Sequence, residues 1–285
     1  MPEVSNAILD RLHAVKGFVF DMDGTLILGD KINNNMIPLP GAIDFIKLLK
    51  QQNIPYVVMT NGTVRSPSDY IEVLSAAGIP MDSTTMMTPS SVAADYFVQQ
   101  GMKRIMVLGC PGVWQPLVDL GLEVVLSSKP DGKPVDAVYI GWYREFCFAD
   151  LEAACHAVWA GAGLYTASDV PFFATAQGPA IGTSCAIAAA LVPLTKKHAE
   201  VLGKPSQFAL HCAARRLGLA PGDIAVVGDD ADLEVPMALQ GGALSVYVHT
   251  GTGGPGAFHV RPEDTHPHIS VHAMADLLAL YQSRR

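Results

Sequence analysis

Residues 17–25 read GFVFDMDGT, an apolar, β-prone run GFVF that leads straight into Asp21 and Asp23 and then into Gly24 and Thr25. A short apolar run closed by a turn signal is the pattern of a buried strand. Gly24 lets the backbone turn tightly after the second acid, and the Thr25 hydroxyl can hydrogen-bond that turn. In open parallel sheets, ligands bind beyond the carboxyl ends of the strands, so two acids delivered there mark a site for chemistry.

The neighbouring sequence repeats the rhythm. GAIDFIKLLKQQ (41–52), PYVVMT (55–60) and SPSDYIEVLSAAG (66–78) alternate helical with strand periodicity, as do KPSQFALHCAARRLG (204–218), IAVVG (224–228), ADLEVPMALQGG (231–242) and LSVYV (244–248). Alternation of this kind implies βαβ units and a parallel sheet flanked by helices, with both ends of the chain sharing one sheet. Between them, RIMVLG (104–109), LEVVL (122–126), DAVYIG (136–141) and LYTAS (164–168) mark a block long enough to fold separately. The expected division is an α/β core of residues 1–83 and 198–285 with an inserted α/β domain over 84–197.

Composition narrows the classes. The 285 residues exceed one compact domain of common size, and 49% hydrophobic with 16% charged residues suits a globular chain. The apolar run Ala186–Leu194 falls short of the ~20 residues of a membrane-spanning helix. The opening MPEVSNAILDRLHAVK lacks a secretory pattern, so the expectation is a cytoplasmic protein without a membrane partner. Five cysteines without a close CxxC pair suggest neither a disulfide framework nor a zinc site. A net charge of −8 argues against a nucleic-acid surface.

Three strands deliver oxygen groups at their carboxyl ends: Asp21 and Asp23, then Thr60 with Asn61 and Gly62, then Asp229 and Asp230, with Glu234 close behind. Carboxylates ~4 Å apart repel by ~4 kcal/mol at an effective dielectric near 20, so the cluster calls for a cation. An all-oxygen set without His or Cys favours a hard ion, and an open site shared with phosphate favours Mg²⁺. Asp21 is the candidate nucleophile toward phosphorus, and Asp23 the candidate acid and base for the leaving alcohol and the incoming water. Charge on the phosphoryl oxygens needs fixed donors, for which the Thr60 hydroxyl, N–H groups around Asn61 and Gly62, and Lys204 of GKPS are the candidates.

At DMDGT (21–25), MTNGT (59–63), GKP (203–205) and GDDADLE (228–234) the sequence resembles the haloacid dehalogenase (HAD) superfamily, whose four motifs occur in this order. The resemblance implies Asp21 as nucleophile, Asp23 as acid/base, Thr60 and Lys204 as phosphate ligands, and Asp229 with the backbone carbonyl of Asp23 as Mg²⁺ ligands. The insertion between the second and third motifs is similar to the C2 cap of the NagD-like branch (subfamily IIA). Members of that branch include nucleotide, 4-nitrophenyl phosphate, phosphoglycolate and pyridoxal phosphate phosphatases, and the expected substrates are small monoesters of the nucleotide, sugar phosphate, phosphoglycolate or 4-nitrophenyl phosphate type. It implies a lid over a small phosphorylated metabolite and a possible homodimer. Where the branch usually has Asp, the fourth motif ends in Glu234, so that either Glu234 or Asp230 completes the metal set. The segment ASDVPFFATAQG (167–178) also departs from the Asn-rich pattern expected of relatives.

Two other readings compete with phosphate monoester hydrolysis: phosphoryl transfer to another acceptor, as in HAD mutases, and a non-catalytic phosphate-binding scaffold. Mutases carry a small helical cap between the first two motifs, whereas the 33 residues of 26–58 here hold a core helix. GTGGPG (251–256) lacks the βαβ context of a dinucleotide site and reads as a loop beside the crevice. His266 and His268 read as solvated surface residues, and Cys110 of GCPG lacks an accompanying base.

Overall fold

The computed structural model describes residues 4–29, 36–175, 178–251 and 256–283. In chain order, α1 (Asn6–Ala14) precedes β1 (Gly17–Asp21), the antiparallel pair β2 (Ile27–Gly29) and β3 (Met36–Pro38), α2 (Ala42–Gln51), β4 (Tyr56–Met59), α3 (Pro67–Ala76) and β5 (Met86–Met87). There follow α4 (Pro89–Gln99), β6 (Arg104–Leu108), α5 (Pro111–Asp119), β7 (Glu123–Leu126), β8 (Ala137–Ile140), α6 (Phe148–Trp159) and β9 (Gly163–Thr166). Then come the antiparallel pair β10 (Phe172–Thr175) and β11 (Gly178–Ile181), α7 (Thr183–Thr195), β12 (Glu200–Val201) and α8 (Gln207–Leu217). The chain closes with β13 (Ile224–Gly228), α9 (Glu234–Gly241), β14 (Leu244–Val248), β15 (Ile269–Val271) and α10 (Met274–Gln282).

Two compact units result. Unit 1 comprises Met1–Thr60, Tyr70–Met87 and Leu210–Arg285, and unit 2 comprises Asn61–Asp69 and Thr88–Ala209. The borders run through α3 and α8, and they group residues 61–69 and 198–209 with the inserted block.

The sheet of unit 1 has the order β15-β14-β13-β1-β4-β5, parallel throughout. Strands from both ends of the chain therefore share it, as their alternation with helices implies. Every residue of β1 is buried, as expected of a parallel strand covered on both faces. Helix α2 buries Ala42, Phe45, Ile46 and Leu49, the i, i+3, i+4, i+7 stripe of an amphipathic helix. Phe45 meets Phe18 edge-on at 5.3 Å and Phe20 at 5.8 Å, and burying each ring contributes roughly 2–3 kcal/mol.

Unit 2 has its own parallel sheet, β12-β9-β8-β6-β7, with one apolar cluster around Met106, Ile140 and Leu191 and another around Phe97, Tyr139 and Tyr165. Its most demanding polar group is Asp150, in the first turn of α6 and 1% exposed. Its carboxylate accepts bonds from Ser127 Oγ at 2.6 Å, Tyr143 OH at 3.3 Å and Cys147 N at 2.9 Å. Burial works to raise its pKa, but the Ser127 hydroxyl and the Cys147 N–H outweigh burial and hold the carboxyl below its ordinary value. A carboxyl depressed on folding adds stability that is complete above its unfolded pKa near ~4 and is lost as pH falls through the lower folded value. Asp150→Ala is expected to cost about 2–4 kcal/mol at neutral pH, because it strands buried donors. Asp150→Asn should flatten the acid limb of stability, and thermal unfolding from pH 7 down to about 3 checks both. An unchanged acid limb in Asp150→Asn would contradict this role.

Candidate active site

In unit 1 the register brings three strand ends level. Phe20 pairs with Val227 on one side and Val58 on the other, and Asp21 pairs with Met59. Asp229 and Thr60 thus stand one step beyond their strands, on either side of the residue that ends β1. Asp21 is 6% exposed, Asp229 5%, and Thr60 is fully buried. The Thr60 hydroxyl donates to Asp23 Oδ2 at 3.3 Å, so one of its jobs is to orient the candidate acid/base.

The turn after β1 is anchored from beneath. Leu26 N and Ile27 N both bond Met22 O at 3.0 Å, Gly24 N bonds Ile27 O at 2.8 Å, and the Met22 and Leu26 side chains are fully buried. Gly24 has φ +83°, and a Cβ there would stand 2.6 Å from Asp229 Oδ2. Only glycine suits both the left-handed backbone and the close approach. Thr25 Oγ1 donates to Asp229 Oδ1 at 3.4 Å, joining the first motif to the fourth.

The acidic loop that follows β13 is held at several points. Glu234, the first residue of α9, is buried and accepts a bond from Asp230 N at 3.1 Å. A Cβ on Gly228 would lie 2.3 Å from Glu234 Cγ, so the glycine ending β13 leaves room for this glutamate. Asp230 Oδ1 accepts from Asp232 N at 2.7 Å, and Asp232 in turn grips Arg261 through two bonds of 2.7 and 2.9 Å. This pairing holds the Asp232 carboxyl below its ordinary pKa and raises that of Arg261. The Tyr247 phenol is pushed up to about 12, first by burial and then by the negative charges of Asp229 and Asp230.

In unit 2, Asn61 and Lys204 meet through two bonds, Asn61 Nδ2 to Lys204 O at 2.9 Å and Lys204 N to Asn61 Oδ1 at 2.8 Å. The carboxamide of the second motif therefore grips the backbone of the third. A Cβ on Gly203 would lie 2.3 Å from Ala167 O and 2.6 Å from Asn61 Oδ1, which explains the glycine before the lysine. Lys204 is 2% exposed. Residues 203–206 close a turn through Ser206 N to Gly203 O at 2.9 Å, so α8 begins only at Gln207, three residues later than the sequence pattern suggests. Gly62 is half-buried beside Asn61 in the same unit.

Among the described residues, no group of three or more His, Cys, Asp or Glu side chains is gathered as a metal cluster. A divalent ion in unit 1 would rest on fewer side chains, and the donor set suits a hard one. Asp21 and Asp229 are buried carboxylates at the ends of adjacent strands, and charges one strand spacing (~4.8 Å) apart repel by roughly 3 kcal/mol. The Asp229 carboxylate lies in room that Gly24 and Gly251 leave for it, since a Cβ on either would collide with its Oδ2. Mg²⁺ fits this acidic, oxygen-only environment.

Other residues that the sequence brought forward have structural work. His268 Nδ1 accepts from Ser245 N at 3.0 Å, and His266 Nε2 lies 3.1 Å from Arg261 O. Both are half-buried and bonded, which corrects their reading as solvated surface groups. Burial, with help from Arg11, lowers the His268 pKa. The Cys110 thiol donates to Thr63 O at 3.5 Å, and burial pushes its pKa up, the wrong direction for a nucleophile. Of GTGGPG, residues 252–255 lie outside the described chain.

The chain is similar to known proteins in sequence and in fold. The family described as haloacid dehalogenase-like hydrolase matches residues 18–123, and a second, described as HAD-hydrolase-like, matches residues 201–277. The chain is 26% identical to the 5'-nucleotidase YutF of Bacillus subtilis, over 83% of this chain and 88% of that protein. It is 27% identical to an acid sugar phosphatase of Staphylococcus haemolyticus, over 83% of this chain and 86% of that protein. Among solved structures, NagD from E. coli K-12 superimposes with a TM-score of 0.80 at 20% identity, covering 92% of this chain and 98% of that one.

Proposed function

Because the chain belongs to the haloacid dehalogenase-like hydrolases and has the fold of their NagD-like branch, we propose that it hydrolyses small phosphate monoesters through a phosphoaspartate on Asp21. The observation that carries this reading is the register of unit 1, which sets Asp21, Thr60 and Asp229 at adjacent strand ends. A 5'-nucleotidase and an acid sugar phosphatase as relatives support nucleotides and sugar phosphates as the first substrate classes to try.

In the proposed reaction, an Asp21 carboxylate oxygen attacks phosphorus in line, and the bond from phosphorus to the ester oxygen breaks. Asp23 gives its proton to that departing oxygen, then takes one from a water molecule. The water oxygen attacks the phosphoaspartate, releasing inorganic phosphate and restoring Asp21. The bond from the Thr60 hydroxyl keeps the Asp23 carboxyl oriented through both steps. Lys204 and the N–H groups at Asn61 and Gly62 are the proposed donors to the phosphoryl oxygens. Mg²⁺ is proposed at Asp21 and Asp229 with the Asp23 carbonyl, where it would neutralise charge on the attacking carboxylate and the phosphate. Either Glu234 or Asp230 is proposed to complete the metal set, and the bond from Asp230 N to Glu234 Oε2 fixes the loop that carries both. Residues 84–197, inserted between the second and third motifs as a C2 cap is, are proposed to carry the side chains that select the leaving group.

Release of phosphate from 4-nitrophenyl phosphate, nucleoside monophosphates and sugar phosphates, with Mg²⁺ and after removal by EDTA, tests the reading. Chelation is expected to lower turnover by at least about 100-fold, with recovery on adding Mg²⁺ back. Full activity in EDTA would remove the metal from the proposal, and no turnover on the whole panel would remove the phosphatase.

A further inference from the structure

Gly251, the first glycine of GTGGPG, is absent from the four motifs, yet it touches the centre of the site. A Cβ built on it would stand 1.6 Å from Asp229 Oδ2, 2.3 Å from its Cγ and 2.7 Å from its Cβ. The preceding residue, Thr250, donates through Oγ1 to Gly24 O, in the turn whose own glycine faces the same carboxylate. Two glycines thus border Asp229, while Thr25 bonds its other oxygen and Thr250 ties the two walls together. Gly251 lies outside the left-handed region, so its backbone is open to any L-residue and only the missing side chain is at issue.

We propose that Gly251 is a positioning residue for the reaction: by carrying no side chain, it leaves to the Asp229 carboxylate the space that carboxylate occupies against the Gly24–Thr25 turn, in the orientation that binds the divalent ion. The inference rests on the reading of Asp229 as a ligand of that ion. The nearest obstacle to a methyl at 251 is the far end of the Asp229 side chain. Rotation of that carboxylate away from Thr25 relieves the two shortest contacts and spoils the site, and the remaining 2.7 Å approach to Asp229 Cβ requires a small shift of the backbone beside it.

Gly251→Ala is therefore expected to weaken Mg²⁺ binding, measured by titration calorimetry on the purified full-length protein, by about tenfold or more. Gly256→Ala, whose Cβ would meet among the described residues only His259 Nδ1 at 3.9 Å, serves as the matched control and should bind Mg²⁺ as wild type does. In an Asp229→Ala background the Gly251→Ala change should add nothing further. Mg²⁺ binding undiminished in Asp229→Ala would sink the reading of Asp229 itself. Binding lost in Asp229→Ala but normal in Gly251→Ala would overturn the role of Gly251 alone. If Gly251→Ala fails to fold, pairing it with Asp229→Gly should restore the native circular dichroism, and failure to restore it would overturn the proposed contact.

Discussion

Asp21→Asn is expected to lower kcat by roughly 10⁴-fold or more, since a carboxamide cannot form the acyl phosphate and the two-step route closes. The fold should survive the change. Asp21 ends β1, its backbone is held by the ladder to β4, and the amide is close in volume to the acid. The measurement that distinguishes loss of chemistry from loss of structure is trapping. Wild-type enzyme quenched in acid during turnover of labelled substrate should retain acid-stable, alkali-labile phosphate on the protein, and Asp21→Asn should retain none. Label on the variant, or turnover within tenfold of wild type, would place the nucleophile elsewhere.

The second large effect is expected at Asp23. Its carboxyl receives the Thr60 hydroxyl, is half-buried, and lies in the turn that Gly24 and Met22 hold rigid. General acid and base catalysis by one positioned group is worth roughly 10²–10⁴-fold, and Asp23→Asn should lose that much in steady state. The loss should depend on the leaving group. An alkyl phosphate needs a proton on its departing oxygen, so both steps slow. Nitrophenolate leaves readily without one, so only hydrolysis of the phosphoaspartate slows, and rapid mixing should show a burst of nitrophenolate near one equivalent per site. Equal losses on both substrates, with no burst, would take Asp23 out of the proton path. Thr60→Val, which removes the orienting hydroxyl, belongs on the same axis with a smaller loss.

These predictions draw on residues of very different visibility in the sequence. Asp21 and Asp23 were legible because an apolar run stops at them and a glycine turn follows, all within nine residues. Asp229 and Thr60 were legible for the same reason at two further strand ends. The choice between Asp230 and Glu234 was not, since either side chain could reach forward. Their bond, Asp230 N to Glu234 Oε2, ties the two residues into one loop. Asn61 entered as a backbone donor, and its carboxamide proves to clasp Lys204 across 143 residues of sequence. The antiparallel pairs β2–β3 and β10–β11 also went unread, because strands of three or four residues carry too few alternations to register.

By itself the sequence determined where strands end and which oxygen groups they deliver, because burial of apolar runs and the turn chemistry of glycine are decided by residues near one another in the chain. Only the tertiary structure decided which of those groups face one another: the level register of β4, β1 and β13, the clasp of Asn61 on Lys204, and the vacancy that Gly251 leaves for Asp229. A missing side chain has no local signature. Its meaning depends on what the fold packs against it, and here that neighbour is a carboxylate 22 positions away, brought there by the pairing of β13 with β14.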